Sequence, residues 1–192
     1  MHSGLIIIPL LVIVVAGVVS IILYTLRLGI SPMPSSSSAR LSSLRLLGEW
    51  LASLPVHDRK NLTLVEAGSG WGGLAMMISQ EFPELTVVGY ERSPVPFLFS
   101  RIRSRLTGAP GPVFVRRNFS EGLEKGCDIV ICYLYPGGMK RIAEMLELIR
   151  EKPLVLITIA FHLPGHVPLR ESLSRDMYRT PVYLYRTDQT RA

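Results

Sequence analysis

The chain has 192 residues, 48% of them hydrophobic, with 21 Lys and Arg against 15 Asp and Glu for a formal net charge of +6. That length accommodates one α/β domain and an appendage rather than two full domains. Two cysteines, Cys127 and Cys132, exclude a disulfide framework and a cysteine metal cluster and fit a reducing compartment.

Every acidic residue lies at or beyond Glu49, so the first 48 residues carry only Arg27, Arg40 and Arg45 as formal charges. Part of the basic balance is therefore a flank of an apolar segment. The rest is modest and spread over the domain, and it fits either anionic partners, a lipid surface or a nucleic acid, or simply a solvated surface with excess Arg. Residues 5–26 hold no charge. About 20 apolar residues span the ~30 Å hydrocarbon core of a bilayer, so this run predicts a transmembrane helix. Pro9 falls in its first turns, where a missing N–H costs least. A cleaved signal peptide is the rival reading, but its apolar core is about 7–15 residues behind a basic leader. Here only His2 precedes the run and the arginines follow it. The positive-inside rule then puts the rest of the chain on the cytoplasmic side, or on the matrix side of a mitochondrial membrane.

The Pro/Ser stretch 29–38 reads as a linker, so the chain divides into an anchor at 1–28, the linker, and one domain at 39–192. The domain opens with a helix over 39–54. Its Leu41, Leu44, Leu47, Leu51 and Leu54 recur at three- and four-residue steps, a stripe made for docking on its own domain, and the serines upstream offer N-caps. Strands and helices then alternate. A strand at 62–66 leads to a helix at 72–81, and a strand at 85–90 to a helix at 95–106. In the latter, Leu98, Ile102 and Leu106 form the expected core face, and Arg101, Arg103 and Arg105 point elsewhere. A short strand near 113–116 and an apolar strand at 128–133 follow. A helix at 138–150, with Met139, Ile142, Leu146 and Ile149 inward, precedes a strand at 153–160. The tail differs: a loop at 161–166, then strands near 167–173 and 181–186 with no helix between them, which should pair antiparallel. The pattern predicts an α/β, Rossmann-like, doubly wound and mostly parallel sheet, with an antiparallel final strand beside strand 5.

The chemistry gathers at one turn. Gly68, Gly70, Gly72 and Gly73 follow the first strand directly, and Glu91 closes the second. A glycine turn opening onto a helix N-terminus brings backbone N–H groups close to a ligand, and an acid ending strand 2 accepts ribose hydroxyls. The glycine spacing fits both a dinucleotide fingerprint and the acid-x-G-x-G-x-G pattern that starts at Glu66. Glu66 separates them. It would repel a pyrophosphate at this turn and attract the ammonium and sulfonium of S-adenosylmethionine. The chain left after Glu91 is also short for the substrate domain of a nicotinamide enzyme.

The segments SPMPSS (31–36), VEAGSGWGG (65–73), GYERSP (89–94), RRNFSE (116–121), DIVICYLYPGGM (128–139), LPGH (163–166) and YRTPVYLY (178–185) carry a resemblance. The chain resembles class I S-adenosylmethionine-dependent methyltransferases. More narrowly, it is similar to the membrane-anchored family that includes the lysine methyltransferases of the ATP synthase c subunit and the adenine nucleotide translocase, with their bacterial relatives. The resemblance implies S-adenosyl-L-methionine as cofactor. Glu66 and the Gly68–Ser69–Gly70 turn with Gly72 would hold its methionine end, Glu91 its ribose, and Asn118 its adenine amino group, where the family commonly has Asp. Arg92 would flank the adenine, and Tyr133 would adjoin the cofactor.

In-line methyl transfer asks an enzyme mainly to align the nucleophile and remove water. The acceptor should enter over the carboxyl end of the 128–133 strand, where Tyr133 and Tyr135 would line a methyl channel. His162, in the loop after strand 5, is a further candidate at the acceptor site. No NPPY-type tetrapeptide is present, which argues against a nucleic-acid base as acceptor. The expected function is methyl transfer to a lysine of a membrane protein. The alternatives are a lipid or membrane-soluble small-molecule acceptor, or a non-catalytic cofactor-binding scaffold.

Overall fold

The computed structural model describes residues 3–28, 34–107, 111–124, 126–148 and 155–187. Helix α1 (Ser3–Leu28) contains the apolar run, with Pro9 inside it rather than in its first turn. It removes one i→i−4 bond there. Among the described residues α1 is the one helix long and apolar enough to cross a membrane, over Ile6–Leu26.

Helix α2 (Ser37–Ser53) starts two residues earlier than its periodicity predicts, because Ser36 caps it by accepting from the Ala39 N–H at 3.1 Å. Ser36 Oγ also donates to Asp176 Oδ2 at 2.6 Å, and Ser38 Oγ accepts from the Arg175 N–H at 2.6 Å. The end of the expected linker is thus docked on the domain. The bonds from Ser36 and from the Thr180 N–H hold the Asp176 carboxyl far below the usual carboxylate range. Leu44, Leu47 and Leu51 face the sheet as expected, but Leu41 is exposed and Leu46 takes its place inside. A 3₁₀ turn follows at Val56–Arg59, not anticipated from the sequence.

The sheet is built from β1 (Thr63–Ala67), β2 (Thr86–Tyr90), β3 (Val113–Val115), β4 (Ile129–Cys132), β5 (Val155–Ile159), β6 (Arg170–Leu173) and β7 (Pro181–Arg186). Its order is β3-β2-β1-β4-β5-β7-β6. The first five strands are parallel, and β7 runs antiparallel between β5 and β6. The reversed strand beside β5 is the finish the sequence predicts. The helices between are α3 (Gly73–Glu81), α4 (Pro94–Leu106), a short α5 (Ser120–Glu124) that was not expected, and α6 (Pro136–Leu148). The expected extensions at 149–150 and 153–154, with the inward Ile149, lie outside the described residues.

Central parallel strands are covered on both faces and read as unbroken apolar runs, and β4 and β5 are buried at every position. Alternation divides them between two cores. Leu64, Ile129, Ile131 and Ile157 pack with Leu47 and Ile78 on one face, and Val65, Val130 and Leu156 pack with Met139 and Ile142 of α6 on the other. The outer strand β6 is short, charged and mostly exposed, which protects a sheet edge from pairing with another chain.

Helix α4 contradicts the expected orientation. Pro96 and Ser100 are its buried residues, with Phe97 packed against the core, whereas Leu98, Ile102 and Leu106 are 56%, 49% and 80% exposed. The reason is proximity: Ser100 Cβ lies 2.7 Å from where a side chain on Gly72 would begin. Only a small-residue face lets the helix lie this close to the glycine turn.

Candidate active site

β1 ends by passing Glu66 and Ala67 into the glycine turn, and α3 starts on its far side. The turn is pinned to the end of β2, because the Gly68 and Ser69 N–H groups both donate to the Tyr90 carbonyl, at 3.0 and 2.9 Å. Two of its glycines have different duties. Gly72 has φ 74°, and a Cβ there would stand 2.5 Å from the Phe114 ring and 2.7 Å from Ser100. Gly70 has φ 51°, and among the described residues nothing lies within 4 Å of where its Cβ would be, so its backbone faces open space.

That space is a cleft of about 560 Å³ over the carboxyl ends of β1, β2 and β4, within the usual small-molecule range of about 300–1,000 Å³ and at the sheet's topological switch point. It is lined by Glu66, Gly68, Ser69, Gly70, Glu91, Arg92, Asn118, Tyr133 and Tyr135, so the structure brings together most of the residues singled out from sequence. Gly72 does not line it and acts on the turn's shape. His162 lies outside the lining too. Its ring stacks on Tyr183, centroids 3.9 Å apart, and its Nδ1 is 3.4 Å from Tyr185 Oη. Asp128 is at the opposite end of the sheet, where it accepts from the Thr63 N–H.

Glu91 Oε2 accepts from the Gly70 N–H at 2.8 Å and Oε1 from the Ser93 N–H at 2.6 Å. This fixes the carboxylate at the cleft floor. Asn118 Oδ1 accepts from the Ser120 N–H at 3.4 Å, which orients its amide beside the cleft. Ser69 Oγ is buried and, among the described residues, has no hydrogen-bond partner in the protein. A buried hydroxyl without a partner is costly, and one in a cleft wall is suited to a polar ligand.

Glu66 is 6% exposed, and its Oε2 accepts from the Ala75 N–H at 3.0 Å in the first turn of α3. Burial pushes its carboxyl up to about 8, and the nearby Glu91 adds to the rise while the Ala75 bond and Arg40 oppose it. The folded carboxyl thus keeps its proton from its ordinary 4.5 up to about 8, where the unfolded chain has lost it. Stability tied to that proton is complete below pH 4.5 and is lost as pH rises to about 8. The ligand-free chain should therefore melt at lower temperature as pH rises through this range, and Glu66→Gln should flatten that part of the profile. Equal slopes for the two chains would show that Glu66 titrates normally.

Sequence reasoning missed Arg40. Its Nε and Nη2 donate to the Ser35 carbonyl at 3.0 and 2.7 Å, and its Nη1 lies 2.7 Å from where a Gly73 Cβ would be. This hook carries the guanidinium from α2 into the cleft wall near Glu66. The available signal was charge: Arg40 is the one formal charge between Arg27 and Arg45, inside the first turn of a predicted helix. Lys140 and Arg141 of α6, with Arg103 and Arg117, also line the cleft and were not singled out for it.

No family model and no curated protein sequence matches the chain. Solved structures do match its fold. An RNA methyltransferase from Salinibacter ruber in complex with S-adenosyl-L-homocysteine superposes with TM-score 0.66 at 18% identity, over 81% of this chain and 94% of that one. The magnesium protoporphyrin IX methyltransferase of Synechocystis PCC 6803 with bound SAM gives 0.57 at 17% identity, over 80% of each chain. A precorrin-6y C5,15-methyltransferase from Geobacter metallireducens GS-15 gives 0.55 at 16% identity, over 79% and 88%. The chain thus shares its fold with these methyltransferases.

Proposed function

We propose that the protein is an S-adenosylmethionine-dependent methyltransferase held to a membrane by α1, and that its acceptor is a lysine of a membrane protein. The observation that carries the cofactor assignment is the cleft itself, where Glu66, Ser69 Oγ, the Gly70 backbone and Glu91 converge at the switch point. Structures of the same fold hold S-adenosylmethionine or its demethylated product. The cofactor supplies an activated methyl group. In this reading Glu91 accepts from the ribose hydroxyls, and Asn118 adjoins the adenine. Glu66 gives up its proton and pairs with the ammonium of the methionine end, while Arg40 Nη1 pairs with the carboxylate. Tyr133 and Tyr135, about one-third exposed on the cleft wall, present ring faces to a cationic centre and narrow the approach of the acceptor.

The Arg40 role has its own test. Arg40→Gln should weaken S-adenosylhomocysteine by about tenfold or more, since a charge-assisted hydrogen bond is worth about 1.5–3 kcal/mol. It should leave 5′-methylthioadenosine, which has no carboxylate, unaffected. Equal losses for both ligands would place Arg40 in the scaffold instead.

For the acceptor, the membrane proteome of cells carrying the native chain is compared with that of cells carrying Glu66→Ala, by mass spectrometry. The expected result is loss of a +14 increment, one CH₂, from a lysine. Label from isotopic S-adenosylmethionine that enters lipid extract and no protein band would sink the lysine assignment. The charge of the cleft lining favours a second acceptor class, a membrane-soluble anionic molecule, because Arg40, Arg92, Arg103, Arg117, Lys140 and Arg141 stand there against Glu66, Glu91 and Glu144.

A further inference from the structure

Helix α4 presents an amphipathic surface to the outside. Leu98, Phe99, Ile102 and Leu106 are 56%, 49%, 49% and 80% exposed, although leucine, isoleucine and phenylalanine are residues that a soluble domain ordinarily buries. At about 100° per residue these four cover an arc of roughly 100° on the helix. Arg101 and Arg105 fall on one border of that arc, and Arg103 falls on the other. An exposed apolar strip between cationic borders is the pattern of a helix lying in the plane of a membrane interface.

The position of α4 agrees with its pattern. It contacts α1, and Tyr24 Oη near the end of α1 accepts from Arg116 Nη2, just after β3, at 3.3 Å. The half-buried residues of α1, Gly17, Ser20, Ile21, Tyr24 and Thr25, recur at one- and three-residue steps, so α1 keeps one face against the domain and the others outward. Helix α4 thus lies beside α1 with its own apolar strip still exposed.

We infer that α4 is a second membrane element, seated at the boundary between headgroups and acyl chains of an anionic leaflet, with its apolar strip among the chains and its arginines among the headgroups. This rests on the reading of α1 as a membrane span. It gives the cleft a fixed aspect to the bilayer. Trp71 stands edge-on to Phe99 with centroids 5.4 Å apart, and both Trp71 and Arg103 line the cleft. The wall nearest α4 is then held at the lipid surface, where a membrane-embedded acceptor would present its reactive group.

The test uses the full chain in vesicles of phosphatidylcholine with phosphatidylglycerol, spin-labelled at Val14→Cys or Ile102→Cys. The native Cys127 and Cys132 are buried and should not take the label. Collisions with oxygen, which partitions into lipid, are compared with collisions with a water-soluble nickel chelate. The expected result is a severalfold excess of oxygen collisions at both sites. At position 102 that excess should fall in vesicles of phosphatidylcholine alone and in an Arg101→Glu/Arg105→Glu chain. Lipid accessibility at 14 with chelate accessibility at 102 overturns the inference and leaves the anchor intact. Chelate accessibility at 14 overturns the anchor and this inference together. Shielding of 102 from both reagents also overturns it, by showing a protein partner or a second copy on that face.

Discussion

A Glu91→Ala chain should bind S-adenosylhomocysteine at least about 100-fold more weakly than the native chain, measured by calorimetry. Two hydrogen bonds from ribose hydroxyls to a carboxylate contribute about 1.5–3 kcal/mol each, and about 1.4 kcal/mol is a factor of ten in affinity. The carboxylate also receives the Gly70 and Ser93 N–H groups, so its removal loosens the turn that faces the ligand. Glu91→Gln keeps one acceptor oxygen and should fall between the two. Melting of the ligand-free chains separates binding from folding: the affinity loss should far exceed any loss of stability. Unchanged affinity would place the ribose elsewhere and would undo the orientation assigned to the cofactor.

The second large effect concerns stability. Gly72→Val should lower the melting temperature by about 5–20 °C. A left-handed backbone costs an L-residue about 1–2 kcal/mol, and overpacking a filled site costs about 1–3 kcal/mol. At this chain length each kcal/mol moves the midpoint by about 2–4 °C. The collision is with the Phe114 ring and Ser100 Cβ, which belong to β3 and α4, so the strain falls on packing between elements. Gly70→Ala is the instructive partner. Its φ is also positive, but among the described residues nothing lies within 4 Å, so stability should suffer only the backbone cost. Its methyl group enters the cleft, so ligand affinity should drop. If the two variants behave alike, the division of labour within the turn is wrong.

The sequence disclosed the strand and helix sequence of the domain because its elements bury one face each and punctuate with Gly and Pro. Continuous apolar runs at 129–132 and 155–159 marked central parallel strands, and the missing helix before 181–186 marked the reversed one. Most of the cleft was legible for a related reason. A turn needing positive φ has to be written in glycine, and acids ending two adjacent parallel strands meet across the register that pairs Ala67 with Tyr90. Helix α4 was misjudged because periodicity locates an apolar stripe without saying what it faces. Ser100, the residue that packs deepest, carries no hydrophobic signal at all. Arg40 was missed because a helix outside the nucleotide unit supplies it, and no spacing rule connects it to the glycine turn. His162 shares the carboxyl end of the sheet with the cleft, but its ring turns to β7, whose tyrosines offer it a stacking partner.

Pro34 and Ser35 line the cleft, and Leu28 ends α1. Residues 29–33 lie between Leu28 and Pro34, so six steps of at most about 3.6 Å join them, a reach of about 20 Å. With α1 in the bilayer, that reach would cap the height of the cleft wall above the membrane. Acceptors would then be sorted by height as well as by shape. A lysine standing well above the membrane surface would lie out of range whatever its neighbouring residues, and one near the headgroups would meet the cleft repeatedly.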